Sequence, residues 1–426
     1  MWGTSLCWWA NIKYPENIKE QLIELLFGES GLQLDIVRYN LGGGSNPDES
    51  VKQNFRLGGN MPCIKDNNGG FCLENDKLQL SILDAAIKKG VNNVELFCNS
   101  PPWWMTKSGV TNGSKTIFDC NLKKEYVDDY VNFLSDSYNL LKKIYPVKSI
   151  DPFNEPSNPF WTPDINQEGC YFDYITRWDV IKGLKNLNKD IFISGVDEFS
   201  IGFALFWYIF SPRWLIDRIN IHGYRLTYKD FTFYFDDFNI WKRLLRWLTN
   251  KPIWISEYGY GYSDTVPESL PLARKIFNDL KLLKPEAWVY WQAIENINGS
   301  KWGLIQLDFK NPSTIKIQKQ YYIFKHFTRN IKSGDEYEFI NTNVIKIKGD
   351  RIRYIILNDT QFDITYNVKE TIIEYTISNN KYNYKTYKKN DIYTNLYLSD
   401  INDSIIIKSD SIMSIVCKNY ENTLVL

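Results

Sequence analysis

The sequence predicts a (β/α)8 TIM barrel followed by a small C-terminal all-β sandwich. Three observations predict it. Short apolar runs alternate with helix-period segments from residue 2 to about 330, and the alternation occurs eight times. After Gly334 the composition shifts to Ile, Tyr, Asn and Lys in period-two order. Strand–helix alternation of this kind builds a parallel sheet with helices outside it. The first strand runs into Trp8-Trp9-Ala10, not into a glycine-rich phosphate turn, which favours the barrel over an open doubly wound sheet.

The strands are read at residues 3–8, 34–40, 93–98, 148–153, 191–196, 218–222, 252–257 and 286–291. Runs such as Ile253–Ile255 suit parallel strands buried on both faces. Helical faces follow in register. Ile18, Leu22, Leu25 and Leu26 mark the first; Leu78, Ile82, Leu83, Ala86 and Ile87 the second, stopped at Lys88-Lys89-Gly90. Tyr126, Tyr130, Val131, Leu134, Tyr138 and Leu141 mark a long third helix, and Tyr174, Trp178 and Ile181 the fourth. A fifth, around 203–210, is short and hydrophobic all round. Ile240, Leu244, Leu245 and Leu248 mark the sixth, Leu272, Ile276 and Leu280 the seventh, and Tyr322, Ile323 and Phe327 the eighth. Beyond the barrel, Ile345–Lys348, Gly349-Asp350 and Arg351–Tyr354 read as a hairpin, and Ser404 to Cys417 as another. The domains expected are residues 1–333 and 334–426.

Composition narrows the function classes. Of 426 residues 44% are hydrophobic, enough for a large core, and 50 basic side chains balance 50 acidic ones. Such a balance gives no long-range pull toward nucleic acid or an anionic membrane. No run of 18 apolar residues exists to span a bilayer, and the N-terminus lacks the basic and apolar regions of a signal peptide. Seven scattered cysteines do not form a disulfide framework; Cys63 and Cys72, flanking a Gly/Asn-rich loop, are the pair an oxidising compartment would join. With no CxxC and two His, neither a metal site nor a cofactor is expected. Asn112-Gly113-Ser114 and Asn298-Gly299-Ser300 match the glycosylation sequon, as chance allows in an Asn-rich chain. Fifteen Trp serve either a large core or a cleft in which flat rings stack on sugars.

Barrel active sites lie at the C-terminal ends of the strands. Two acidic groups end apolar strands there. Asp151-Pro152-Phe153-Asn154-Glu155-Pro156 closes the fourth, and Trp254-Ile255-Ser256-Glu257-Tyr258-Gly259 the seventh. These strands stand on opposite sides of the mouth, so Glu155 and Glu257 face each other across a cleft. Two facing carboxyls are what glycosidic cleavage needs: one protonates the leaving oxygen and the other attacks the anomeric carbon.

The motifs resemble glycoside hydrolase family 30. They are Arg38-Tyr39-Asn40-Leu41-Gly42-Gly43, Asn99-Ser100-Pro101-Pro102-Trp103-Trp104-Met105, Asp151 to Pro156, Ile255 to Gly259, Tyr290-Trp291-Gln292 and the helix from Tyr321 to Arg329. The opening Trp2 to Ala10 is most similar to the endo-β-1,6-galactanase branch of that family. The resemblance spans nearly the whole chain, with the motifs in order. It implies Glu155 as acid/base and Glu257 as nucleophile in a retaining hydrolase of β-1,6-galactan, or of another β-linked glycan. It also implies that Asn154 binds the sugar 2-hydroxyl and Arg38 keeps the nucleophile ionised. Tyr224 would hydrogen-bond the nucleophile, and Trp103 or Trp104 with Trp291 would form the stacking floor. His222 either lines the pocket or is a satisfied core histidine. A polysaccharide substrate, no cofactor and a monomeric state are expected; a retired, binding-only barrel is the alternative from another class.

Overall fold

The computed structural model describes all residues except 52, 225–226, 229–230, 233–238, 262–263, 300–301, 389–403 and 419–426. Eight parallel strands make the barrel: β1 (Trp2–Ser5), β2 (Ile36–Asn40), β3 (Asn93–Phe97), β4 (Val147–Asp151), β5 (Ser194–Glu198), β6 (Arg218–His222), β7 (Ile253–Tyr258) and β8 (Ala287–Tyr290). They hydrogen-bond in the order β4-β3-β2-β1-β8-β7-β6-β5. A parallel bridge between Ile150 and Ile193, with Ile150 N–H donating to Phe192 O at 3.0 Å, joins the ends. The wall is therefore a closed ring with no free edge. Three ladders slip register near their C-terminal ends, between Val196 and Glu198, between Ile221 and His222 and between Trp288 and Tyr290. Each slip re-aims side chains at the mouth.

Among the described residues eight helices clothe the ring: α1 (Glu16–Phe27), α2 (Lys77–Lys88), α3 (Val127–Lys142), α4 (Tyr174–Leu187), α5 (Ile201–Phe210), α6 (Asn239–Leu248), α7 (Val266–Leu282) and α8 (Lys319–Asn330). α5 begins at Ser200, whose hydroxyl accepts the Phe203 N–H at 3.4 Å. It buries Ile201, Ala204, Leu205 and Tyr208 and leaves Phe206, Ile209 and Phe210 in solvent, so it is apolar on both faces. α6 corrects the sequence reading: Ile240 is 64% exposed, while Lys242 is buried. The lysine is affordable inside because its ammonium meets Asp279 at 2.8 Å.

The C-terminal strands are β9 (Glu336–Phe339), β10 (Val344–Lys348), β11 (Ile352–Asn358), β12 (Ile364–Asn367), β13 (Ile372–Ser378), β14 (Lys385–Lys388), β15 (Ser404–Ile407) and β16 (Ser411–Cys417). A six-stranded antiparallel sheet runs β9-β10-β11-β16-β13-β14, and β12 pairs with β15 alone. The hairpin at 344–354 forms, with Lys348 opposite Ile352. Ser404–Cys417 is not a hairpin. β15 pairs with β12 in the small sheet, and β16 lies between β11 and β13 in the large one. Ile405 and Ile407 pack on Met413 and Ile415 across the sandwich, so one chain segment changes layer. A layer change leaves the same alternation in sequence as a hairpin does.

The other face of the large sheet is continuous with the barrel core through Ile345, Ile347, Ile355, Leu357 and Ile412. His326 of α8 is buried at this seam, 2.9 Å from Ser378 Oγ and 2.5 Å from Ser414 Oγ. Ser378 donates its hydroxyl to Asn383 O, so it accepts from Nε2–H, and Nδ1 accepts from Ser414. Burial pushes this imidazole down to about 3, so it stays neutral. The seven cysteines are free thiols; Cys63 is buried and Cys72 exposed. Asn112 is buried with its amide donating to Pro163 O and Ile165 O, which closes the first sequon to modification. Ser300 of the second lies outside the described residues.

Candidate active site

Glu155 stands just past β4 and Glu257 is the fifth residue of β7. Glu155 has a left-handed backbone, φ +44°, held by its N–H donating to Asp197 O at 2.9 Å. That conformation is costly for a residue with a side chain and marks a built position. It turns the carboxyl back over the barrel. Glu155 Oε2 accepts from Asn158 at 3.0 Å, and Oε1 lies 3.0 Å from His222 Nδ1. The same nitrogen is 3.6 Å from Glu257 Oε1. One atom each of Glu155, His222 and Glu257 lie within 4.8 Å of one another, so the two carboxyls do face each other across the mouth.

Their surroundings differ. The Glu155 side chain is 12% exposed and borders solvent. Glu257 is more enclosed, and its Oε2 is buried without a hydrogen-bond partner. Burial pushes Glu257 up to about 7; His222 and Arg38 oppose the shift, and the charges of Glu155 and Asp197 add to it. Arg38 lies beneath the carboxyls, fully buried, and does not line the cleft. Its Nε donates to Glu95 at 2.9 Å and its Nη2 to Asp197 at 2.7 Å, while Glu257 Oε2 is 3.9 Å from Nη1. Nearer acids thus take most of its charge, and desolvation of Glu257 prevails.

His222 is a fully buried member of the pair's own network. Burial alone would lower its pKa, but Glu257, Asp197 and the bond to Glu155 hold it well above the usual imidazole range. Its Nε2 is 3.3 Å from Asp197 Oδ1. Glu155, His222 and Glu257 are the one group among the described residues with metal-ligand spacing. An imidazolium has no lone pair to give a cation, so the set suits proton transfer better. Tyr224 accepts the Gly259 N–H at 3.1 Å; burial, both carboxyl charges and a hydrogen bond to Glu257 hold its phenol well above 10. Asn154 is buried, with Oδ1 unpartnered. Trp103 and Trp104 meet edge to face at 5.7 Å and line an open groove of about 400 Å³ with Gly44, Ser45 and Asn60. Trp291 is almost fully buried, edge to face on Trp8 at 5.1 Å, which leaves little free ring for a stacking floor.

The sequence reading missed the layer beneath. Asp197, φ +37°, sits in the register slip of β5. It binds Arg38, His222 and, at 2.5 Å, Ser256 Oγ. Burial would raise its pKa, yet Arg38 and His222 carry it well below the carboxylate range. Below it, Glu95 meets Arg38, Arg218, Ser149, Ser194 and Asn220, and Asn220 also donates to Asp151 at 2.8 Å. The barrel interior is thus a closed polar network rather than layers of aliphatic side chains. A charged residue inside an apolar strand run, such as Glu95, was the available signal.

Residues 2–195 match the model of O-glycosyl hydrolase family 30. The endo-β-1,6-galactanase of Hypocrea rufa is 30% identical over 367 residues, 78% of this chain and 72% of that protein. An exo-β-1,6-galactobiohydrolase of Bifidobacterium longum is 26% identical over 231 residues, 40% of this chain and 15% of that longer protein. In fold, a conserved exported protein from Bacteroides fragilis superposes with TM-score 0.81 at 18% identity, covering 97% of this chain and 96% of the other. The catalytic domain of family 30 xylanase C from Talaromyces cellulolyticus gives 0.70 at 16% identity, covering 98% and 96%. With two facing carboxyls at the mouth of a closed barrel, a β side domain and these relatives, the chain belongs to glycoside hydrolase family 30 and is an O-glycosyl hydrolase.

Proposed function

We propose that this hydrolase cleaves β-1,6-galactan within the chain and retains the anomeric configuration. The approach of one oxygen of Glu155 to one of Glu257 within 4.8 Å carries the reading, since it leaves little room for a water between the carboxyls. Retaining enzymes hold their carboxyls about 5–5.5 Å apart, whereas inverting ones need about 6.5–9.5 Å to admit a water. Glu257 Oε2, buried with free lone pairs, attacks the anomeric carbon. Glu155, closer to solvent, donates a proton to the departing glycosidic oxygen and then takes one from the water that releases the glycosyl-enzyme. His222 Nδ1 lies 3.0 Å from Glu155 and 3.6 Å from Glu257, so it stays beside the negative charge as that charge passes from Glu257 to Glu155. Asn154 meets the sugar 2-hydroxyl. The galactan substrate rests on the Hypocrea rufa relative. Endo action rests on the same relative.

The test is product analysis on de-arabinosylated arabinogalactan, β-1,6-glucan, xylan and an aryl β-glycoside, with the product anomer followed by NMR. Short β-1,6-galacto-oligosaccharides released first as the β anomer are expected. An α anomer would overturn the double displacement, and cleavage of another glycan alone would overturn the substrate.

A further inference from the structure

Three tryptophans are more than a third exposed among the described residues: Trp214 at 66%, Trp247 at 79% and Trp302 at 37%. Trp247 lies on α6 and Trp214 just past α5, both in the outer helical layer. Trp302 is at the mouth. Its ring lies 6.1 Å from that of Tyr224 and only 31° from parallel to it, and Tyr224 in turn touches Glu257. One aromatic ring therefore separates this exposed indole from the reacting carboxyl.

The backbone carrying Trp302 is pinned. Tyr290 of β8 donates its hydroxyl to Trp302 O at 2.8 Å, and Gln320 of α8 donates to Gly303 O at 3.1 Å. Gly259 leaves room for the indole: a Cβ there would come within 2.7 Å of Trp291 O and 3.2 Å of Trp302 Cβ. A flat, partly solvated ring on a backbone tied to a barrel strand, with one side against Tyr224, is placed to take the apolar face of a pyranose at low ordering cost.

We propose that Trp302 is the stacking platform for the sugar next along the chain from the one held between Glu155 and Glu257, and that it sets the preference for polymer over short substrates. This rests on the glycosidase reading above and names a residue that determines its specificity. The test compares Trp302→Ala and Trp302→Phe with the parent on galactan and on the shortest galactoside cleaved. Trp302→Ala should lose about tenfold in kcat/KM on the polymer relative to the short substrate, mainly through KM, and Trp302→Phe should recover most of the loss. Equal losses on both substrates, or none on the polymer, would overturn the proposal. If Trp302→Ala is unstable, Trp302→Leu keeps the apolar bulk without the flat ring and must show the same split. Should the parent cleave another glycan instead, the galactan reading fails, and polymer and short forms of that glycan carry the same comparison.

Discussion

Replacing Asp197 with Asn removes one negative charge from the centre of the site and leaves its shape intact. Asp197 binds Arg38 Nη2 at 2.7 Å, Ser256 Oγ at 2.5 Å and His222 Nε2 at 3.3 Å, all in the dry interior. Unpairing a buried ion costs about 3–5 kcal/mol. Arg38 keeps Glu95, so the lower end applies, about 3 kcal/mol, or roughly 3–4 °C in Tm for a chain of 426 residues. The larger effect is on titration. At 3.3 Å the attraction between Asp197 and an imidazolium lies between ~1 kcal/mol in water-like and ~5 kcal/mol in protein-like surroundings. His222 has its pKa raised in the folded protein, so its charge is present at low pH and lost as pH rises through that value. Glu155 and Glu257 remain beside it after the change, with Tyr224 edge-on at 5.9 Å. The alkaline limb of the kcat/KM profile should therefore move down by at least about one pH unit. Thermal unfolding and a pH–rate profile read the two effects. A variant with the parent's Tm and an unmoved alkaline limb would refute the placing of Asp197 under His222.

Two further predictions follow from neighbouring observations. Glu257→Gln should lower turnover at least about a thousandfold, as loss of a nucleophile does. Because the folded pKa of Glu257 is raised to about 7, its contribution to stability is full below the unfolded carboxyl value and lost as pH rises toward 7; the variant should unfold with less pH dependence between 5 and 8. Hydrolysis at the parent's rate would exclude the assigned mechanism. His326→Ala strands the buried hydroxyl of Ser414, leaves Ser378 only its bond to Asn383 and opens a cavity, at a cost of about 3–5 kcal/mol by denaturant titration, without changing KM. A loss under about 1 kcal/mol would mean that the seam tolerates water.

The barrel was legible because each strand is a local apolar run and each helix a local period. Glu155 and Glu257 were legible for a related reason: each directly follows such a run, within a motif of contiguous residues. Asp197 lay one residue past the predicted end of its strand, and the bulge that aims it has no sequence signature. Arg38 was read as a partner of Glu257, and it does lie 3.9 Å from that carboxyl, but the fold also gives it Glu95 and Asp197 at closer range from two other strands. Such pairings depend on barrel closure, which no single segment encodes. Ile240 and Lys242 misled for the opposite reason: helix period favours the isoleucine, and a distant Asp279 makes the lysine the buried one. Trp302 follows the last strand in a loop with no period, and only the ring of Tyr224 beside it gives it meaning.

The closed polar network inside the barrel constrains how this enzyme can change. Arg38, Glu95, Asp197 and Arg218 come from four strands and answer one another's charge, so altering one alone leaves its neighbours with less compensation in the dry core. Drift in this layer must proceed by paired steps, and its charge pattern should outlast most of the surface sequence. The aromatic rim carries no such debt: Trp103, Trp104 and Trp302 sit on connecting segments above the network and can be exchanged one at a time. On the proposed reading of these rings as sugar platforms, a new sugar preference is reached from above, by changing rings, over a chemical floor that stays locked.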